Sequence, residues 1–134
     1  MAGSTVLDSF ALLTFLRDEA GAEKVAALLE KAEQREQPLH MTEVNYAEVQ
    51  YIIRRKDGEA AWRSVAGDLM ALPIEFHQAD RRLADQAADF KTRFRLSLAD
   101  AFAAALAKVR NAELVTGDSE LGVLEGEIGI GWLR

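Results

Sequence analysis

Apolar and polar positions follow two different periods along this chain. Short, almost continuous apolar runs recur at 4–8 (STVLD), 39–42 (LHMT), 73–76 (PIEF), 112–118 (AELVTGD) and 127–134 (EIGIGWLR). Runs this short predict buried strands. Between them, apolar positions return every three or four residues, which predicts helices. Residues 9–21 put Phe10, Leu13 and Leu16 on one side before Gly21 breaks the pattern. Residues 22–37 carry a Val25, Leu28, Leu29, Ala32 stripe opposed by Glu and Lys, and Pro38 stops it. A third helix at 43–56 is ended by Gly58, and a fourth at 59–71 carries Trp62, Val65, Leu69 and Met70 before Pro73. Residues 78–94 align Ala79, Leu83, Ala87, Phe90 and Phe94, and 97–110 predicts an alanine-rich, largely buried helix.

Short apolar strands alternating with helices predict an α/β fold in three α/β/α layers. Its centre is a parallel sheet of four to five short strands covered on both faces. With no repeat, linker or low-complexity tract, residues 1–134 read as a single domain. In such sheets ligands collect beyond the carboxyl ends of the strands, so acids that end strands carry the interest.

Composition narrows the classes. A chain of 134 residues, 49% hydrophobic with two prolines, can bury a real core and is not a disordered one. The absence of cysteine removes disulfides, thiolate zinc sites and a cysteine nucleophile together. The opening MAGSTVLDS has neither a basic region nor a long apolar core, so no signal peptide is expected. No run is long enough to span a bilayer, and the expected location is the cytoplasm. A formal net charge of −6 disfavours nucleic-acid binding unless cations neutralise a local acidic cluster.

Four acids stand where such a cluster would form, and each has an ordinary reading beside the functional one. Asp8 can simply cap the helix that follows it. Glu48 can be surface charge, although Ala47, Val49, Ile52 and Ile53 around it are apolar. Ser97 and Asp100 have capping-box spacing. Asp118, in Gly-Asp-Ser, suits a turn. As a set they mean more. Asp8 and Asp118 end strands at one edge of a parallel sheet, Asp100 opens the helix before the Asp118 strand, and Glu48 lies early in the helix after the second strand. All four can point into one crevice. Carboxylates gathered in a partly dry cleft repel one another and call for a cation. Oxygen donors, with no cysteine and no suitable histidine pair, favour Mg2+ or Mn2+ over zinc. Waters held by such ions can attack a phosphodiester.

In order along the chain, VLDSFALL, TEVNYAEV, LSLADAFAAALA and LVTGDSEL resemble the four acidic motifs of the PIN-domain family. The likeness spans essentially the whole chain and is most similar to VapC-type toxins of toxin–antitoxin pairs. The resemblance implies a PIN-like fold and a Mg2+- or Mn2+-dependent endoribonuclease. Asp8, Glu48, Asp100 and Asp118 would be its catalytic, metal-holding acids, with Ser9 and Thr116 as supporting polar residues. It further implies an RNA substrate, a cognate antitoxin and a homodimer. Ser9 stands where Thr is more familiar but keeps the hydroxyl. Some members carry a further acid or Asn beyond the last motif, and Glu120 stands near that place. The alternatives are a catalytically inactive PIN-like protein-binding module and a non-toxin PIN nuclease. A haloacid-dehalogenase-type hydrolase is disfavoured, because Phe10 occupies the place of its second acid.

Two basic runs remain. Arg54–Lys56 suits a solvated helix end. Lys91–Arg95 (KTRFR) suits the same, or holds RNA phosphates at the rim of the cleft through Arg93 and Arg95. His40 and His77 are single and far apart, which reads as packing or surface histidines rather than ligands.

Overall fold

The structure is a computed structural model and describes residues 3–134. Met1 and Ala2, where the stretch read for a leader begins, lie outside the described residues. The elements run β1 (Thr5–Leu7), α1 (Ser9–Leu16), α2 (Ala22–Arg35), β2 (Leu39–Thr42), α3 (Glu43–Asp57), α4 (Glu59–Met70), β3 (Ile74–His77), α5 (Arg81–Arg93), α6 (Leu98–Arg110), β4 (Glu113–Thr116), a 3-10 helix (Ser119–Leu124) and β5 (Ile130–Trp132). The strands form one parallel sheet in the order β3-β2-β1-β4-β5. Helices cover both faces, as the alternation of strand and helix patterns predicts.

The side-chain alternation of each strand sorts the core. Val6 and Leu114 pack with Phe90 of α5 and Leu106 of α6, on one face. Leu7 and Val115, one residue on, pack with Val25 and Leu29 of α2 on the other. Met41 reaches a third cluster with Val49, Ile53 and Trp62 of α3 and α4. This is the period-two pattern of a strand buried on both sides.

Two spans differ from the periodicity. The helix read at 9–21 ends at Leu16, where Asp18 (φ 50°) and Gly21 (φ 103°) turn the chain into α2. Strand structure in the C-terminal stretch is confined to Ile130–Trp132, and a 3-10 helix precedes it. Leu121 and Leu124, both fully buried, sit three apart, which fits the three-residue turn of that helix.

The order of the strands places the crevice. The chain steps outward from β1 to β2 to β3, and α5 and α6 then carry it back across the sheet to β4, on the far side of β1. All strands stay parallel, but the order in which they are added reverses between β1 and β4. Beyond the carboxyl ends of that pair, α1 leaves toward one face and the 3-10 helix toward the other. A switch point of this kind opens a cleft by topology alone. Among the described residues, no helix is long and apolar enough to cross a membrane.

Leu114 is fully buried beside β1. Leu114→Ala is expected to cost about 2–5 kcal/mol, read as a lower urea midpoint at unchanged slope.

Candidate active site

The site starts where β1 ends. Asp8 has extended backbone and caps α1: its Oδ1 accepts from the Ala11 N–H at 2.7 Å. Its capping role is therefore real. The side chain is nevertheless buried, 1% exposed, and among the described residues Oδ2 has no hydrogen-bond partner. A buried, half-satisfied carboxylate is costly to ionise. Burial pushes the Asp8 carboxyl up to about 7, with Asp100 and Asp118 adding to the effect and the Thr116 side chain and Ala11 N–H opposing it.

The neighbouring strand supplies the next acid. Thr116 ends β4 and is fully buried, and its hydroxyl accepts from the Asp118 N–H at 3.0 Å. Asp118 Oδ1 in turn accepts from the Glu120 N–H at 3.0 Å, capping the 3-10 helix. Gly117 sits under the Phe10 ring, and a Cβ there would run into it. The turn that presents Asp118 is thus held closed from both directions.

Asp100 arrives from the first turn of α6, where its N–H donates to Ser97 Oγ at 3.1 Å. The carboxylate oxygens of Asp100, Asp118 and Glu120 lie within 4.8 Å of one another. Burial raises the Asp100 carboxyl to about 6; Asp118, Glu48 and Glu120 push the same way and Ser97 pulls against them. Glu48 is half-buried on α3 and faces the group from that side. The close group is thus Asp100, Asp118 and Glu120; Asp8 feels the charges of Asp100 and Asp118, and Asp100 that of Glu48, but neither Asp8 nor Glu48 joins the close group. Glu120, which no motif assigned, belongs to the same group.

Asn45 is the residue that sequence reasoning missed. It is fully buried in the first turn of α3. Its side-chain amide donates to Ser9 Oγ at 3.1 Å and to the Ala99 carbonyl at 3.1 Å, and its carbonyl oxygen accepts from the Thr42 hydroxyl. The Asn45 N–H donates to Thr42 Oγ1 at 2.9 Å, and Ser9 Oγ donates to the Asn45 main-chain carbonyl at 3.3 Å. One side chain thus ties together the first turns of α1, which Asp8 caps, of α3, which carries Glu48 one turn further on, and of α6, which carries Asp100. The available signal was Thr42 followed three residues later by Asn, at a helix start flanked by apolar residues.

The basic run behaves unevenly. Arg93 lies against the Phe94 ring, 5.0 Å from its centroid, and its Nη2 donates to Asp89 Oδ2 at 2.8 Å and Glu127 Oε1 at 2.7 Å. Arg95 is exposed, two residues before the Ser97 cap.

The donor set fits a hard divalent cation. It consists of carboxylate oxygens, one of them buried without a partner among the described residues, and those of Asp100, Asp118 and Glu120 are close enough to repel. An ion held by that trio would remove the repulsion, and Oδ2 is an oxygen free to join its ligands.

Comparison with known proteins follows the same outline. The PIN domain model matches residues 5–126. None of the curated proteins matches the chain. Among solved structures, the chain is similar to the DNA-bound VapBC2 complex of Rickettsia felis, with a TM-score of 0.78 and 14% identity over 95% of this chain and 96% of that one. It is similar to the DNA-bound VapBC of Salmonella typhimurium, with a TM-score of 0.75 and 14% identity over 98% and 99%. It is also similar to VapC20 of Mycobacterium tuberculosis, described as a sarcin-ricin loop cleaving toxin, with a TM-score of 0.68 and 14% identity over 90% and 94%.

Two outcomes follow from this geometry. In chelated protein, Asp8 keeps its proton up to about pH 7 when folded but, from an ordinary value of 3.8, loses it much earlier when unfolded. The folded chain then binds more protons across that window, so stability falls as pH rises through it. Asp8→Asn, which leaves an oxygen to cap α1, should flatten the slope. At pH about 8 it should be more stable than the parent by an amount on the order of a few kcal/mol, measured by urea unfolding with EDTA. Asn45→Ala removes the side-chain bonds to the Thr42 hydroxyl, Ser9 Oγ and the Ala99 carbonyl, and should cost about 1–3 kcal/mol in the same assay.

Proposed function

Because this chain belongs to the PIN domain family, we propose that it is a Mg2+- or Mn2+-dependent endoribonuclease. We place it further as the toxin of a type II toxin–antitoxin pair. The observation that carries the nuclease reading is the buried, unpartnered Asp8 Oδ2 beside Asp100 and Asp118 at the switch point of the sheet.

Asp8, Asp100 and Asp118 would hold the metal, with Glu48 holding metal or its waters. When bound, the ion supplies Lewis-acid charge stabilisation and a more acidic water at the phosphodiester. The chain's own residues do the positioning. Ala11 N–H donates to Asp8 Oδ1, which leaves Oδ2 as the oxygen free to act as a metal donor. Thr116 holds the turn that aims Asp118. The Ser9 hydroxyl is engaged with Asn45, so its part is to hold Asp8 in place rather than to touch substrate. An acidic crevice repels RNA phosphates until cations neutralise it, so binding and cleavage should share one metal requirement.

Arg93 and Arg95 stand as the proposed phosphate contacts at the rim. Arg95 is the stronger of the two, since Arg93 is already paired with Asp89 and Glu127. The antitoxin partner is proposed from the likeness to chains solved as toxin–antitoxin complexes. The exposed Tyr51 on α3 and Met70 on α4 offer apolar surface suited to such a partner or to a second copy of the chain. The cytoplasm is the proposed location.

The test is cleavage of mixed cellular RNA by purified, partner-free chain with Mg2+ or Mn2+. EDTA should abolish it, and Asp8→Asn and Asp118→Asn should each lower the rate by about 100-fold or more. Cleavage that survives EDTA, or that both variants retain, overturns the reading. Arg95→Gln should weaken RNA binding and lower its salt slope by about one, measured by filter binding across a salt series.

A further inference from the structure

The β2–β3 pairing creates a second group of ligands away from the acidic crevice. In its register His40 faces Glu75 and Thr42 faces His77, so His40, Glu75 and His77 share one face of the sheet. His40 Nδ1 stands 2.8 Å from His77 Nε2. Glu75 Oε2 lies 3.1 Å from His77 Nε2 and 4.0 Å from His40 Nδ1. Three donor atoms from two adjacent strands therefore converge on one point.

We propose that His40, Glu75 and His77 form a binding site for a divalent transition metal of the zinc class, which clamps the edge strand β3 to β2. A tetrahedral zinc ion with bonds of about 2.0–2.1 Å needs donor atoms about 3.3–3.4 Å apart. The three observed separations bracket that value, so small side-chain rotations complete the site. Two imidazoles and one carboxylate are a ligand set for zinc rather than for Mg2+ or Mn2+, which take oxygen. The chain would thus hold two cation sites that differ in chemistry.

Proton counting supports a metal here. With neutral rings, the contact between His40 Nδ1 and His77 Nε2 holds one proton, and Glu75 Oε2 competes for it. A dication in its place satisfies all three atoms. Burial lowers His40 to about 4, helped by Arg110, and lowers His77 as well, so both rings keep a lone pair at neutral pH. Glu75 supplies the negative charge that offsets Arg110. Access is open: His40 and Glu75 line a cavity of about 650 Å3 with Ser4, Pro38 and Arg110. That cavity lies at the amino ends of β1 and β2, opposite the edge where Asp8 and Asp118 stand. A fourth ligand, water, can enter from it.

The experiment is a titration of the chelator-stripped full chain with Zn2+ by calorimetry, and with Co2+ by visible absorption, both in excess Mg2+ to occupy the oxygen site. One equivalent should bind, with the absorption of tetrahedral Co2+ displaced by Zn2+. Asp118→Asn should retain that signal. His77→Gln should lose it, and Glu75→Gln, at an exposed position, should weaken binding by about tenfold or more. Zn2+ should raise the unfolding midpoint of the parent but not of His77→Gln. Folded protein that binds no equivalent in excess Mg2+ overturns the proposal. So does binding that both His77→Gln and Glu75→Gln leave unchanged, or binding that Asp118→Asn abolishes.

Discussion

Asp8 is held in the dry end of the sheet between Thr116 and the first turn of α1, with one carboxylate oxygen satisfied and the other not. That imbalance organises the region around it. A lone buried carboxylate would simply take up a proton. Here the charges of Asp100 and Asp118 act on it as well, and those two acids crowd each other and Glu120, so the region carries more negative charge than its hydrogen bonds can settle. A divalent cation answers both problems in one step. Helix N-termini favour the same charge, because Asp8 caps α1 and Asp100 lies in the first turn of α6.

Keeping like charges together needs a stiff frame, and the frame is local and polar. Asn45 links the starts of α1, α3 and α6 through one buried side chain. Thr116 and Phe10 close the turn at Gly117 from two sides. Apolar packing alone slides easily along a helix; directional hydrogen bonds to main-chain atoms do not. The acids are therefore set by groups that do no chemistry themselves, which is the arrangement expected of a preorganised site.

Legibility in the sequence differs residue by residue. The strand and helix pattern, and the alternation that splits Val6 from Leu7 and Leu114 from Val115, follow from spacing alone. The caps at Asp8 and Ser97 were equally visible, because a cap is made with residues two or three positions away. Asp8 shows the limit of such reading. Its cap and its orphaned oxygen belong to one side chain, and only the first is local. Asn45 had a recognisable spacing to Thr42, but its bonds to Ser9 and Ala99 span the whole fold. Arg93 reads as a free base until Glu127, from the far side of α6, is seen to hold it.

The histidines mark the boundary most clearly. As isolated letters, His40 and His77 carry no sign of each other, and the in-register pairing of β2 with β3 sets their ring nitrogens 2.8 Å apart. What the amino-acid order determined by itself was the set of elements, their buried faces and the acids at their ends, because these depend on backbone preferences and contacts within a turn. The tertiary structure alone decided which strand lies beside which, and in what register. That choice is made by the shared core, and it converts distant residues into a crevice of acids at one edge of the sheet and a pair of histidines on β2 and β3.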